Sequence, residues 1–198
     1  MKNLILIISV FAVMTASACA GAGKSGAPAR AQFKTYHMDK GYFSCSVPEA
    51  WTLERESEKD EQYRIYEIQL LAPGAGKAPT SVFVTYYAGD NEDFTGYQDY
   101  IDRRSVNALG ETKSAREKYE PPKKIKLGGR AGFELASEVL EYLHPESKSD
   151  ESVLLKEKIY VLPAKDGFYA LRFSAVKAAF AENQPVFEKI ARSFKGKP

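Results

Sequence analysis

Between residues 33 and 176 the chain is cut into short runs of alternating apolar and polar side chains, each stopped by glycine or proline. Period-two alternation places successive side chains on opposite faces, so these runs specify half-buried β-strands and exclude an all-helical body. The first expected strand is Gly41–Val47, stopped by Pro48. Trp51–Glu56 and Tyr63–Ala72 follow, the latter closed by Pro73-Gly74. Ser81–Tyr87 is the richest in β-branched and aromatic residues. The period then changes. Phe94, Tyr97, Ile101, Ser105, Ala108 and Leu109 mark one face of a helix over Thr95–Leu109, ended by Gly110. Strand patterns resume at Ile125–Leu127 and Ala131–Leu143, on either side of a Gly128-Gly129 hairpin turn, and continue at Ser152–Leu162 and Phe168–Ser174. A last helix begins with Pro185 in its first turn and carries Val186, Phe187, Ile190, Ala191 and Phe194 as its apolar stripe. The pattern is α+β: an antiparallel β-sheet meander flanked by helices.

The first residues have a different character. Lys2 precedes an apolar run over Leu4–Met14, and small residues follow. That is the layout of a secretory signal peptide over 1–18, and the run is too short for a bilayer-spanning helix of about 20 residues. Ala16-Ser17-Ala18-Cys19 resembles a lipobox, with Ala16 where leucine is usual. Acylation of Cys19 (a palmitate-type anchor) is expected. Plain signal-peptidase cleavage after Ala18, Ala20 or Ala22 is the alternative, giving a secreted or periplasmic soluble protein. Either places the protein outside the cytoplasm. Residues 19–32, rich in alanine and glycine, read as the lipidated cysteine and a tether, and 33–196 as one folded domain. Cys45, in Phe43-Ser44-Cys45-Ser46-Val47, shares an inward face with Phe43 and Val47 and reads as a small core side chain.

Several stretches resemble the PsbP-like fold family. Phe43 to Trp51 resembles its opening strand and Val-Pro-x-x-Trp turn. Ile125 to Gly132 resembles its glycine-containing hairpin. Gly167–Ala175 and Phe187–Phe194 resemble its closing strand and helix. The resemblance implies a PsbP-like α/β/α sandwich. It also implies a non-enzymatic role, because the better understood members bind or steady other proteins. It supplies no ligand or partner-binding residue.

The chain carries 28 Lys and Arg against 26 Asp and Glu, which argues against a general nucleic-acid binder. Its two histidines, His37 before the first expected strand and His144 on a hairpin tip, do not suggest a catalytic site. No catalytic residue, metal or cofactor is assigned. Asp93 is expected to cap the first helix. A carboxylate-only calcium site at Asp90–Asp93 lacks the EF-hand spacing. The charge is nevertheless segregated. Residues 113–130 hold seven cations against Glu117 and Glu120, whereas 89–102 hold acids and no Lys or Arg. Lys123, Lys124, Lys126 and Arg130, with Asp90, Asp99 and Asp102, form the candidate binding surfaces. The expected partners are the membrane, through Cys19, and an envelope protein. A small-molecule or lipid-binding module with an apolar pocket between sheet and helix is the second reading, and a hydrolase the third.

Overall fold

The computed structural model describes residues 31–74, 78–144, 146–147 and 149–197. The expected signal peptide, Cys19 and nearly all of the tether lie outside them.

Eleven strands and three helices are present among the described residues. The chain opens with β1 (Phe33–His37), β2 (Phe43–Pro48) and β3 (Thr52–Glu54). The four-residue α1 (Asp60–Tyr63) leads into β4 (Ile65–Leu71) and β5 (Ser81–Tyr87). Then come α2 (Tyr97–Arg104), β6 (Glu117–Tyr119) and β7 (Lys123–Leu127). The closing elements are β8 (Arg130–Tyr142), β9 (Ser152–Pro163), β10 (Phe168–Val176), α3 (Lys177–Ser193) and β11 (Lys195–Gly196). All pairings are antiparallel. Two runs of sequential neighbours, β3-β4-β5 and β8-β9-β10, join where β10 pairs β5. A small sheet in the order β1-β2-β11 stands apart.

Alternation along the large sheet sends one set of side chains to each face. Tyr66, Ile68, Leu70, Val82, Val84, Tyr160, Leu162, Leu171 and Phe173 meet Phe180, Phe187 and Ile190 of α3. Phe43, Cys45 and Val47 of the small sheet enter the same core. On the other face Tyr87, Leu135, Ile159, Val161, Phe168 and Ala170 meet Tyr100 and Ile101 of α2. Helices therefore cover both faces, as the α/β/α sandwich requires. Gly128 and Gly129 have φ of 55° and 86°, so both turn residues of the β7–β8 hairpin are left-handed, as a two-residue hairpin demands.

Four expectations need correction. β1 is a strand that ends at His37; its alternation is weak because Lys34 and Thr35 are exposed. β6 is likewise an added strand, too short to show a period. α2 spans only Tyr97–Arg104. Ser105, Ala108 and Leu109 continue the helical spacing but not the helix, and Leu109 is 82% exposed. Gly110, at φ 78°, lies in the loop beyond, its N–H donating to the Asn107 carbonyl at 2.9 Å. α3 begins at Lys177, so Pro185 sits in mid-helix and not in its first turn. Proline removes one backbone donor there. The helix persists because Phe180 and Phe187, seven residues apart and on one face, anchor both sides of it.

Cys45 is 1% exposed, and burial pushes its thiol up to about 12. A thiol reagent at pH 8 is expected to leave Cys45 unmodified in folded protein and to modify it fully in denaturant. Rapid native labelling of Cys45, located by peptide mapping, would contradict its place in the core.

Candidate interaction surface

Among the described residues β7 pairs only with β8, and no strand pairs with its other edge. Lys123, Lys124 and Lys126 are all exposed on it, whereas Ile125 and Leu127 pack against the α3-side core. The sequence dictates this arrangement: alternation sends Ile125 and Leu127 inward, and the hairpin turn fixes the register Lys124↔Phe133 and Lys126↔Ala131. Among the described residues these three lysines make no ion pair. Lysine on an edge strand opposes pairing with a neutral strand and favours an acidic one.

Arg130 has a different place from the lysines. Its guanidinium donates to the carbonyls of Gly196 and Lys197, both at 2.8 Å, and lies over the Tyr169 ring. The Tyr169 hydroxyl donates to the Tyr42 carbonyl at 3.0 Å and accepts from the Lys197 N–H at 2.8 Å. Arg130 and Tyr169 thus secure β11 beside the β7–β8 hairpin. This brings Lys195 and Lys197, far away in sequence, next to the basic segment. Sequence reading missed them because β11 is two residues long and pairs with β2 across the whole chain. No local period reports such a contact.

The acidic residues are engaged by neighbouring side chains and backbone. Asp90 pairs with Arg64 at 3.1 Å. Asp99 pairs with Arg103 at 2.7 Å and accepts the Thr95 N–H at 3.0 Å, and those bonds hold its carboxyl below the ordinary range. Asp102 accepts from Gln98. The helix entry is held by Asn91, whose side-chain oxygen accepts the N–H groups of Asp93 and Phe94, and not by Asp93; the N-cap position belongs to Gly96. Asp90, Asp99 and Asp102 therefore support α2 and its approach, and the structure shows no shared site built from them and the β7 lysines.

The cavities are open clefts with mixed polar and apolar linings. One of about 460 Å³ at the β3–β4 edge is lined by Glu54, Glu56, Asp60, Glu67 and Asp93 among others. Burial raises the Glu67 carboxyl, against the opposing pull of the Thr85 hydroxyl at 2.6 Å and of Arg172. Arg55 is held there between Asp39 and Asp60. Between α3 and the large sheet the space is filled: Phe187 stacks on Tyr160 at 5.2 Å and on Phe173 at 5.4 Å. His37 is exposed at the end of β1, and His144 is 52% exposed beside Glu151 at 3.5 Å. Among the described residues no cluster of three or more His, Cys, Asp or Glu could hold a metal ion, and no helix is long and apolar enough to cross a membrane.

No protein-family model matches the sequence, and no curated protein matches it. Comparison with solved structures is more informative. LpqN, involved in cell envelope biogenesis of Mycobacterium tuberculosis, overlaps at TM-score 0.47 and 17% identity, over 84% of this chain and 91% of that one. The Ran-binding protein Mog1p of Saccharomyces cerevisiae overlaps at TM-score 0.46 and 11% identity, over 84% and 96%. The solution structure of cyanobacterial PsbP (CyanoP) from Synechocystis sp. PCC 6803 overlaps at TM-score 0.53 and 14% identity, over 89% of this chain and 99% of that one. Identity that low speaks for architecture alone, and the architecture is a PsbP-like α+β fold.

Proposed function

We propose that the protein is a lipid-anchored, extracytoplasmic envelope protein with a non-enzymatic role, binding or stabilising another envelope protein through β7. The observation that carries the binding half is an open edge strand bearing Lys123, Lys124 and Lys126, none of them in an ion pair among the described residues. Its free backbone groups can add a strand, and its lysines select an acidic one. The signal-peptide layout and Cys19 support the anchor and the address. The hydrolase reading gains nothing from two exposed imidazoles. The apolar-pocket reading gains nothing from an α3–sheet interface filled by Tyr160, Phe173 and Phe187.

Two measurements test the two halves. Fatty-acid-analogue labelling is expected to be lost on Cys19→Ala; labelling of that variant would remove the anchor. Crosslinking in intact cells, affinity recovery and mass spectrometry are expected to return one dominant envelope protein. Charge reversal (Lys123→Glu, Lys124→Glu, Lys126→Glu) is expected to cut its recovery by about tenfold or more. Undiminished recovery from the triple variant would move the contact away from β7.

A further inference from the structure

Four cations gather where the small sheet meets the end of α3. Lys189 and Arg192 lie about one turn apart on the exposed side of α3. Lys195 and Lys197 follow in and just after β11, and all four are exposed; Lys34, opposite Val47 on β1, lies on the other face of the small sheet from Lys195, which is opposite Ser44. The elements are tied together locally. The Lys189 ammonium sits 3.8 Å over the Phe33 ring, the Ser46 N–H donates to the Ser193 hydroxyl at 2.8 Å, and Lys195 faces Ser44 across the β2–β11 ladder. Among the described residues none of the four is paired with a carboxylate. The carboxylates on the same elements are Glu182 and Glu188, and Glu188 is turned to Tyr160 at 2.8 Å and Lys158 at 3.3 Å. Glu49, just past β2, is exposed and binds the Gln32 carbonyl through its backbone N–H. Positive charge dominates the face.

We infer that this face docks the folded body on anionic lipid headgroups. Two observations join here. The charge is complementary to such a surface. The chain also enters the fold at this face, since Gln32 leads directly into β1 and Phe33 lies under Lys189. Residues 20–32 reach at most about 45 Å when fully extended, so attachment at Cys19 holds these cations close to the membrane. The inference takes its orientation from the lipid-anchored reading, and its chemistry from the four side chains alone.

The test uses chain beginning at Ala20, which lacks any acyl group and keeps both hydrophobic cores, both of which lie within residues 33–194. Binding is expected to vesicles of roughly one part phosphatidylglycerol to three of phosphatidylcholine, to be absent from pure phosphatidylcholine, and to be lost in high salt. Each cation at such a surface contributes about fivefold to partitioning. The triple variant Lys189→Gln, Arg192→Gln, Lys195→Gln is therefore expected to bind on the order of a hundredfold more weakly. The variant Lys113→Gln, Arg116→Gln, Lys118→Gln removes the same charge at the far end of β8, where Lys118 faces Glu138 and the Arg116 carbonyl accepts from the Leu140 N–H, and is expected to change binding no more than a few-fold. Equal loss in both variants would mean diffuse attraction and overturn the inference, as would absence of binding at low salt. Fatty-acid labelling of Cys19 is read separately. Labelling without vesicle binding removes the docking face and keeps the anchor; vesicle binding without labelling does the reverse.

Discussion

Replacing Gly167 by alanine is expected to cost at least about 4 kcal/mol of folding stability, measured by chemical denaturation. Gly167 turns the chain between β9 and β10 at φ 91°, a conformation an L side chain adopts at a cost of roughly 1–2 kcal/mol. The larger share is steric. A Cβ there would lie 1.9 Å from the Tyr87 carbonyl oxygen and 2.9 Å from the Ala88 carbonyl carbon. Both obstacles are backbone, and Tyr87 is pinned by its stacking on Phe168 at 4.7 Å. The hairpin would have to withdraw from β5, at the seam that joins the two halves of the large sheet. Gly129→Ala is the control. Its φ of 86° is similarly strained, but a Cβ there meets nothing within 4 Å, so only about 1–2 kcal/mol is expected. Equal losses at the two positions would show that the β9–β10 turn relaxes freely away from β5.

Phe187→Ala is expected to cost roughly 3–5 kcal/mol and to lower the melting temperature by on the order of 10 °C. Phe187 is fully buried at the centre of the α3–sheet interface. Its ring stacks on Tyr160 and Phe173, and Phe173 in turn touches Phe180 at 4.6 Å. Rigid strands on one side and a 17-residue helix on the other leave little room for collapse, so most of the cavity would persist. The neighbouring network sharpens the expectation: Glu188 fixes the Tyr160 hydroxyl and Lys158, which hinders Tyr160 from tipping into the space. A loss below about 1 kcal/mol would mean that α3 repacks over the sheet.

These two positions were legible to different degrees. Phe187 stands in a helical stripe and could be placed in the core from sequence. Gly167 reads as a hairpin residue, but its approach to Tyr87 depends on β10 pairing with β5, a contact across eighty residues. The same division runs through the fold. Ser81–Tyr87, the Gly128-Gly129 hairpin and the β8–β9–β10 run were readable because local alternation and turn chemistry carry them. β1 and β6 were not, because short strands with exposed residues show no period. Pro185 misplaced the start of α3, because packing of Phe180 overrode a local breaker. Of the surface, the β7 lysines were visible as a charge run. The contribution of Lys189, Arg192, Lys195 and Lys197 depends on β11 lying beside β2 and on the bonds of Arg130 to the Gly196 and Lys197 carbonyls, contacts that no local period reports.

The small sheet sets how the domain responds to load. Among the described residues β1 is an edge strand, bonded to β2 and to no other strand, with Phe33 opposite Pro48 at its leading end. A pull entering at Phe33 and directed away from Pro48 meets these ladder bonds one after another, starting at Phe33. Among the described residues no strand of the large sheet pairs with β1 or β2, so peeling β1 breaks no ladder bond of the large sheet. β1 would peel first and lengthen the connection, uncovering only the part of the α3-side core beneath Phe33 and Tyr36. The domain thus carries a mechanical fuse at the end by which it would be held.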